Sequence, residues 1–233
     1  MKPNTDMSQT RNMLRAGLAW AVLLFLAALA PRAEAQTVRV TTDMGEFTIE
    51  LQPDRAPLTV ANFLRYVNEG FYTNTLFHRV VSGFVIQGGG FSAADCKATA
   101  DCKPKAAHES LVNESGNGLQ NKRGTVGMAR SGPPHSGNAQ FYINIADNPE
   151  LDPLPTRWGY AVFGRVVEGM DVIDKMGVVA TGAAGPWKSE APLTPIVIQK
   201  IELVKAGAAT GPAAVNPAVM PQTGSTPPPP PPQ

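Results

Sequence analysis

The spacing of apolar positions predicts a chain built mainly from short strands. Residues 38–52 alternate apolar and polar positions on both sides of Asp43-Met44-Gly45, a pattern typical of a hairpin because glycine readily takes a positive φ at the turn. Further strands are predicted over residues 77–81, 84–87, 124–130, 140–146, 160–167 and 196–204. Many short strands separated by turn signals indicate an all-β barrel or sandwich.

Two segments have the period of helices instead. Pro57 suits a first helical position, apolar residues recur after it at helical spacing, and Gly70 stands just past their end. A second, shorter helix is predicted over residues 170–176. The first helix has one apolar face, so we expect it to cap an open end of the sheet.

The first 35 residues have the pattern of an export signal. Basic residues precede an apolar stretch over residues 16–30, and Ala33-Glu34-Ala35 then offers a small-x-small cleavage site before Gln36. A membrane anchor is the alternative, but fifteen apolar residues fall short of the about 20 that a spanning helix needs. Residues 1–35 are therefore predicted to be a cleaved signal peptide, with the mature protein exported and free of the membrane.

The last 28 residues differ in composition from the rest of the chain. Residues 206–233 are rich in Ala, Gly, Pro, Thr and Val and include six consecutive prolines, Pro227 to Pro232. Such a segment cannot form a core, so it is predicted to be a disordered tail with polyproline II character near its end. The alternative is a docking motif for a partner or for the protein's own groove. The predicted folded domain is residues 36–205.

Composition and charge narrow the class of protein. The 233 residues are 43% hydrophobic and 17% charged, which fits a single core of ordinary size. The formal net charge is +1, and without residues 1–35 the chain is close to neutral. Because phosphate binding needs a concentrated basic surface, nucleic acid is not expected as a partner. We expect the protein to act as a monomer.

Export changes the interpretation of the two cysteines. Cys96 and Cys102 flank the short polar segment KATAD, and an oxidising compartment favours a disulfide between them. A structural zinc site would need four ligands, and only His108 lies nearby with suitable chemistry. A disulfide is therefore predicted here, and no metal site.

The stretch FHRVVSGFVIQGGGF, residues 77–91, places a charge where apolar side chains are expected. A strand period of two puts Phe77, Arg79 and Val81 on one face, and His78 on the other, where it is predicted to be structural. An arginine at a sheet edge, with its stem on the barrel and its head in water, is one explanation. A second strand that bends away at the following glycines would instead bring Phe84 and Gln87 close to Arg79.

Together with GTVGMARSGPPHSGNAQFYIN (residues 124–144) and YAVFGRVVEGMDVID (residues 160–174), this stretch resembles the cyclophilin family of peptidyl-prolyl cis/trans isomerases. The resemblance covers roughly residues 37–205. It implies an eight-stranded antiparallel barrel capped by two helices. It also implies that the protein rotates Xaa-Pro bonds in unfolded or flexible proline-containing polypeptides, with no cofactor.

The resemblance assigns Arg79 as the catalytic residue. Such a cation can stabilise the twisted amide, whose nitrogen regains its lone pair during rotation. The same resemblance implies substrate contacts from ten further residues: Phe84, Val85, Gln87, Ala129, Arg130, Ser131, Gln140, Tyr142, Leu151 and Tyr160.

Part of the predicted site departs from the family pattern. Glu150 stands at the position of a eukaryotic tryptophan, Tyr160 at that of a histidine, and the loop PLPTRWG between them is longer. Trp158 in that loop is a candidate to restore an aromatic wall. These changes resemble bacterial exported members of the family in part, which together with the signal peptide implies a periplasmic location. They also predict weak inhibition by cyclosporin. They also keep open a second hypothesis beside an isomerase that assists the folding of exported proteins: a proline-binding chaperone or scaffold without turnover.

Overall fold

A computed structural model describes residues 36–96 and 102–204. The predicted signal peptide and the predicted tail lie outside the described residues. The elements in chain order are β1 Thr37–Thr42, β2 Gly45–Leu51, α1 Pro57–Asn68, β3 Thr75–Val81, β4 Val85–Ser92, α2 Ala93–Cys96, β5 Thr125–Met128, β6 Phe141–Asn144, a 3-10 turn Pro149–Leu151, β7 Val162–Glu168, α3 Met170–Met176, β8 Thr181–Ala184, β9 Trp187–Pro192 and β10 Ile196–Val204.

Eight of the strands close into an antiparallel barrel. Their order around the barrel is β1, β10, β3, β4, β6, β5, β7 and β2, which returns to β1. The predicted eight-stranded antiparallel barrel is thereby confirmed. Closure leaves no barrel strand with an unpaired edge. Within the two described ranges, no helix has the length and apolar character needed to cross a bilayer.

The barrel is filled from the inside by aromatic side chains. Phe63 of α1 reaches into the barrel, where its ring lies between 5.2 and 5.6 Å from the rings of Tyr72, Phe141 and Phe163. All four side chains are buried. The shorter helix α3 buries Ile173 and two other apolar residues in the same core. Both predicted helices therefore pack as the apolar spacing indicates, while the single turn of α2 was not predicted.

The segment before β5 is more firmly attached than its lack of periodicity suggests. Residues 92–123 show no regular spacing of apolar residues, as is typical of a surface segment, yet Ser115 and Asn121 are buried. The carboxylate of Glu114 also accepts hydrogen bonds from the backbone N–H groups of Leu58 and Thr59, at 3.1 and 2.8 Å. These N–H groups lie in the first turn of α1, where no intrahelical acceptor exists. A residue distant in sequence thus caps the helix.

The faces of β3 differ from the prediction. Phe77 pairs with Gly88 of β4 and Arg79 pairs with Gln87, so β3 advances two residues where β4 advances one. The extra residue, His78, forms a β-bulge, and beyond it the side chains of β3 point to the opposite faces from those that a regular strand would give. Phe77 lies in the barrel core, whereas Arg79 lies on the outer surface of the sheet. The prediction that these two residues share one face of the strand is therefore wrong.

A second, two-stranded sheet lies outside the barrel. β8 and β9 pair as a hairpin, which the sequence periodicity does not predict. In β9, Trp187 packs on β3 and β4. Its ring stacks on His78 at 5.3 Å between centroids and meets Phe91 edge to face at 5.1 Å. The hairpin is thereby fixed to the outside of the barrel beside Arg79.

The disulfide prediction concerns the end of α2. Cys96 and Cys102 are bonded, with their Cα atoms 4.8 Å apart. The bond closes the loop over residues 97–101, which lie outside the described ranges.

Candidate active site

Two adjoining pockets open on the outer surface of the barrel, over β3, β4 and β6. The first, here called the apolar pocket, has a volume of about 310 Å³ and is lined by Arg79, Phe84, Val85, Gln87, Ala129, Arg130, Tyr142, Leu151 and Tyr160. The second, the polar pocket, has a volume of about 330 Å³ and is lined by Gln87, Ala129, Arg130, Ser131, Ser136, Asn138 and Gln140. Every residue that the sequence predicts for the site lies in one of them.

Strand alternation explains why these side chains face outward. In β4 and β6, Ile86 and Ile143 pair with each other and point into the barrel core. Their neighbours Val85 and Tyr142 point to the other face of the sheet. There they form a second apolar cluster with Ala129, against which Phe84, Leu151 and Tyr160 pack. The apolar pocket therefore has its own small core, separate from that of the barrel.

A buried polar network supports the floor of the apolar pocket. The Tyr142 hydroxyl donates a 2.6 Å hydrogen bond to Asn121 Oδ1. Asn121 in turn donates from Nδ2 to a carboxylate oxygen of Asp152 at 2.9 Å. Burial raises the pKa of Tyr142 well above its usual value, so the hydroxyl remains a donor at working pH. The ring is thereby held in one orientation under the pocket.

The same network fixes Phe84. Asn148 is buried, and its Nδ2 donates to the Phe84 carbonyl at 3.0 Å and to Asn144 Oδ1 at 2.7 Å. Phe84 follows Gly83, whose φ of 71° lets the chain turn back from β3 into β4. The position of Phe84, the aromatic side wall of the pocket, thus depends on the turn at Gly83 and on the hydrogen bond from Asn148.

Arg79 lies at the rim of the apolar pocket. Its side chain is 33% exposed, and its Nε donates to Glu190 Oε2 at 2.7 Å. Arg79 therefore combines an ion pair at the surface with a place in the pocket lining. No hydrogen bond joins its guanidinium to Gln87 or Gln140 among the described residues. Sequence reasoning missed Glu190, which belongs to the unpredicted hairpin.

The two glutamines instead contact each other. Gln87 Nε2 donates to Gln140 Oε1 at 3.1 Å, across the boundary between the two pockets. A Cβ at Gly90 would lie 2.5 Å from Gln140 Cγ, closer than such atoms approach. Gly90, the last residue of the glycine triplet, is therefore required so that the Gln140 side chain can lie over β4.

Arg130 forms the wall between the two pockets. Its guanidinium lies 4.3 Å from the centre of the Tyr160 ring. It also donates to the Gly159 and Trp158 carbonyls at 3.2 and 3.1 Å. Arg130 therefore holds the chain just before Tyr160 in place, and this cation on an aromatic face keeps Tyr160 against the pocket.

Trp158 does not supply the aromatic wall for which it was a candidate. Trp158 is 47% exposed, and its ring packs edge to face on the His135 ring, 5.1 Å away between centroids, beside a different cavity. Glu150 is exposed on the 3-10 turn, while its neighbour Leu151 lines the apolar pocket. Tyr160 is thus the aromatic residue of this wall. The predicted weak inhibition by cyclosporin stays a prediction.

The comparisons with known proteins agree with this geometry. The sequence model of the family described as cyclophilin type peptidyl-prolyl cis-trans isomerase/CLD matches residues 37–203. The chain belongs to the cyclophilin family. Because Arg79 and the lining of both pockets fall inside the matched range, the site described above is part of the cyclophilin domain.

Two of the similar proteins are bacterial peptidyl-prolyl cis-trans isomerases. The chain is 45% identical to peptidyl-prolyl cis-trans isomerase A of Dickeya dadantii, over 80% of this chain and 96% of that protein. It is 47% identical to peptidyl-prolyl cis-trans isomerase B of Escherichia coli, over 69% of this chain and 94% of that protein. A cyclophilin crystal structure from Cryptosporidium parvum superposes with a TM-score of 0.60 at 25% identity, covering 74% of this chain and 99% of the other.

Within this cyclophilin, the residues outside the sequence prediction share one property. Asn121, Asn148 and Glu190 act on the pocket through other side chains or through the backbone. The residues around them in the sequence do not show that these three polar side chains contact the site rather than solvent. Among the described residues, no group of three or more His, Cys, Asp or Glu side chains is placed to hold a metal ion.

Proposed function

We propose that this cyclophilin is an exported enzyme that rotates Xaa-Pro bonds in unfolded or flexible polypeptides and so assists their folding outside the cytoplasm. The observation that carries the proposal is the position of Arg79, a guanidinium at the rim of an apolar pocket of about 310 Å³. The apolar and aromatic side chains of this lining suit an apolar ring such as that of proline.

Rotation about an Xaa-Pro bond is slow because resonance gives the C–N bond partial double-bond character, with a barrier of about 18–20 kcal/mol. In the twisted state the proline nitrogen regains its lone pair and can accept a hydrogen bond. A donor that is fixed near this nitrogen stabilises the twisted state more than the planar one. We assign this role to Arg79, whose guanidinium lies at the rim of the apolar pocket. The reaction needs no nucleophile.

Each group of lining residues has a part in this mechanism. Phe84, Val85 and Tyr142 hold the proline ring, while the ordered floor below them limits its movement. Ala129, Arg130 and Ser131 follow β5 along both pockets and offer a path for an extended substrate backbone. A second Cryptosporidium parvum cyclophilin structure was determined in the presence of the dipeptide Ala-Pro, which supports a substrate of this kind.

NMR exchange between the cis and trans forms of a short Ala-Pro peptide tests the activity. Mature protein that begins at Gln36 is expected to accelerate the exchange. Arg79→Ala is expected to reduce the acceleration by about 100- to 1,000-fold, because the loss of one preorganised hydrogen-bond donor has an effect of this size in other enzymes. The matched control is Arg165→Ala, which removes an arginine that also donates through Nε to a glutamate, Glu50, at 2.6 Å but lines neither pocket. Peptide binding without accelerated exchange would leave a proline-binding module and contradict the proposal.

Export has two independent supports. Residues 1–35 have the pattern of a signal peptide, and a Cys96–Cys102 disulfide persists best in an oxidising compartment. Expression in a bacterium followed by extraction of the periplasm should give a protein that begins at Gln36. Uncleaved protein in the cytoplasmic fraction would contradict this part of the proposal.

A further inference from the structure

The hairpin outside the barrel holds two consecutive residues of β3. Trp187 of β9 stacks on His78, and Glu190 of the same strand accepts the hydrogen bond from Arg79 Nε. Because Trp187 also packs on Phe91 of β4, the hairpin is anchored on the barrel at the point where it reaches Arg79. Glu190 is therefore presented by a fixed support.

The backbone of Glu190 shows that its position is specific. Its φ is 62°, in the left-handed region that residues other than glycine, asparagine and aspartate rarely adopt. The neighbouring Ala191 is buried, and β9 pairs with β8 on both sides of Glu190, through Trp187 and through Ala191 and Pro192. The surrounding hairpin thus imposes a conformation that directs the carboxylate to Arg79.

The contact uses only one of the donors of Arg79. Glu190 occupies Nε, and among the residues that the structure describes, the Arg79 side chain makes no other hydrogen bond. The planar guanidinium is thereby fixed through its inner nitrogen, while its two terminal nitrogens stay available to a substrate in the apolar pocket.

We propose that Glu190 is a positioning residue for catalysis, and that the β8–β9 hairpin serves to hold it against Arg79. An unrestrained arginine would have to lose the freedom of several side-chain bonds in the transition state. A guanidinium that is already held by a carboxylate avoids much of that loss, which is the advantage of preorganisation. The inference rests on the proposed isomerase function.

The central comparison is between Glu190→Gly and Glu190→Gln. Glycine fits the positive φ but removes the acceptor, and it is expected to reduce kcat/KM about tenfold, since small misplacements of a catalytic group reduce rates strongly. The loss should lie mainly in kcat, because Glu190 does not line the apolar pocket. Glutamine keeps an oxygen acceptor of the same length without the charge, and it is expected to restore most of the activity. Glu50→Ala removes the acceptor of another Arg–Glu pair, that of Arg165, and is the matched control, with unchanged kcat/KM.

A spectroscopic measurement separates this inference from the proposed function. The Arg79 Nε–Hε signal in a ¹⁵N-correlated NMR spectrum, assigned by its absence from Arg79→Lys, reports the hydrogen bond whether or not the protein turns over. It should shift and broaden in Glu190→Gly and stay near its original position in Glu190→Gln. An unchanged signal and unchanged kcat in Glu190→Gly would overturn the inference. So would an equal loss of activity in both variants, because the charge of Glu190 rather than its hydrogen bond would then be responsible.

Discussion

The hydrogen bond under the apolar pocket allows a quantitative test of how the site is held. The perturbation is Asn121→Ala, which removes the acceptor of the Tyr142 hydroxyl. That hydroxyl is buried, and the raised pKa of Tyr142 keeps it protonated, so it cannot escape the cost by ionising. A buried donor left without a partner costs about 1–3 kcal/mol. Asn121→Ala also loses the bond to Asp152, so its total effect should lie in the upper half of that range.

Tyr142→Phe should cost less. It removes the donor, while Asn121 Oδ1 still accepts a 3.2 Å hydrogen bond from Asn144 Nδ2. We expect a loss of about 1 kcal/mol. In the double variant no hydroxyl is left unpaired, so the two changes should couple by about 1–2 kcal/mol. The Xaa-Pro exchange rate of Tyr142→Phe should stay near that of the parent, because the ring remains in the pocket.

Urea unfolding of the four proteins measures this coupling. With a slope of roughly 2 kcal/mol per M for a domain of this size, Asn121→Ala should lower the midpoint by about 1 M. The matched control is Tyr72→Phe, which deletes another buried tyrosine hydroxyl, one that donates to the Ala139 carbonyl at 2.8 Å and not to Asn121. Its effect should add to that of Asn121→Ala. Additivity within about 0.5 kcal/mol for the Tyr142 pair as well would refute the reasoning.

Two further predictions concern stability. Burial first, and the charge of Arg79 second, lower the pKa of His78 from 6.5 to about 4. The folded protein therefore keeps His78 neutral, whereas the unfolded chain protonates His78 at a higher pH than the folded protein does. The contribution of His78 should be complete above pH 6.5 and should decrease by about 2–3 kcal/mol towards pH 4. Urea unfolding at pH 7 and 4.5 should show a smaller decrease for His78→Phe, and equal decreases would contradict the assignment. Separately, replacing Cys96 and Cys102 by serine should lower the unfolding free energy by about 2 kcal/mol, as expected for a short closed loop, and reductant should then have no further effect.

Local sequence pattern was sufficient for an all-β barrel or sandwich, and the resemblance to the family motifs implied the closed barrel and the residues of the pocket lining. Alternation places Ile86 and Ile143 in the core and therefore Val85 and Tyr142 on the outer face. A pattern of period two carries this information within each strand, and the family motifs identify which outward residues meet. The residues predicted from them line the two pockets.

Other features were decided only by the tertiary structure. The bulge at His78 depends on the register between β3 and β4, and a single unpaired residue there reverses the faces that periodicity assigns. Glu190 lies 111 residues from Arg79 in the chain, and Asn121 lies 21 residues from Tyr142. Their roles follow from how loops and the outer hairpin return to the barrel. Local periodicity reports which way a side chain faces, whereas such contacts depend on which distant segment is packed against it.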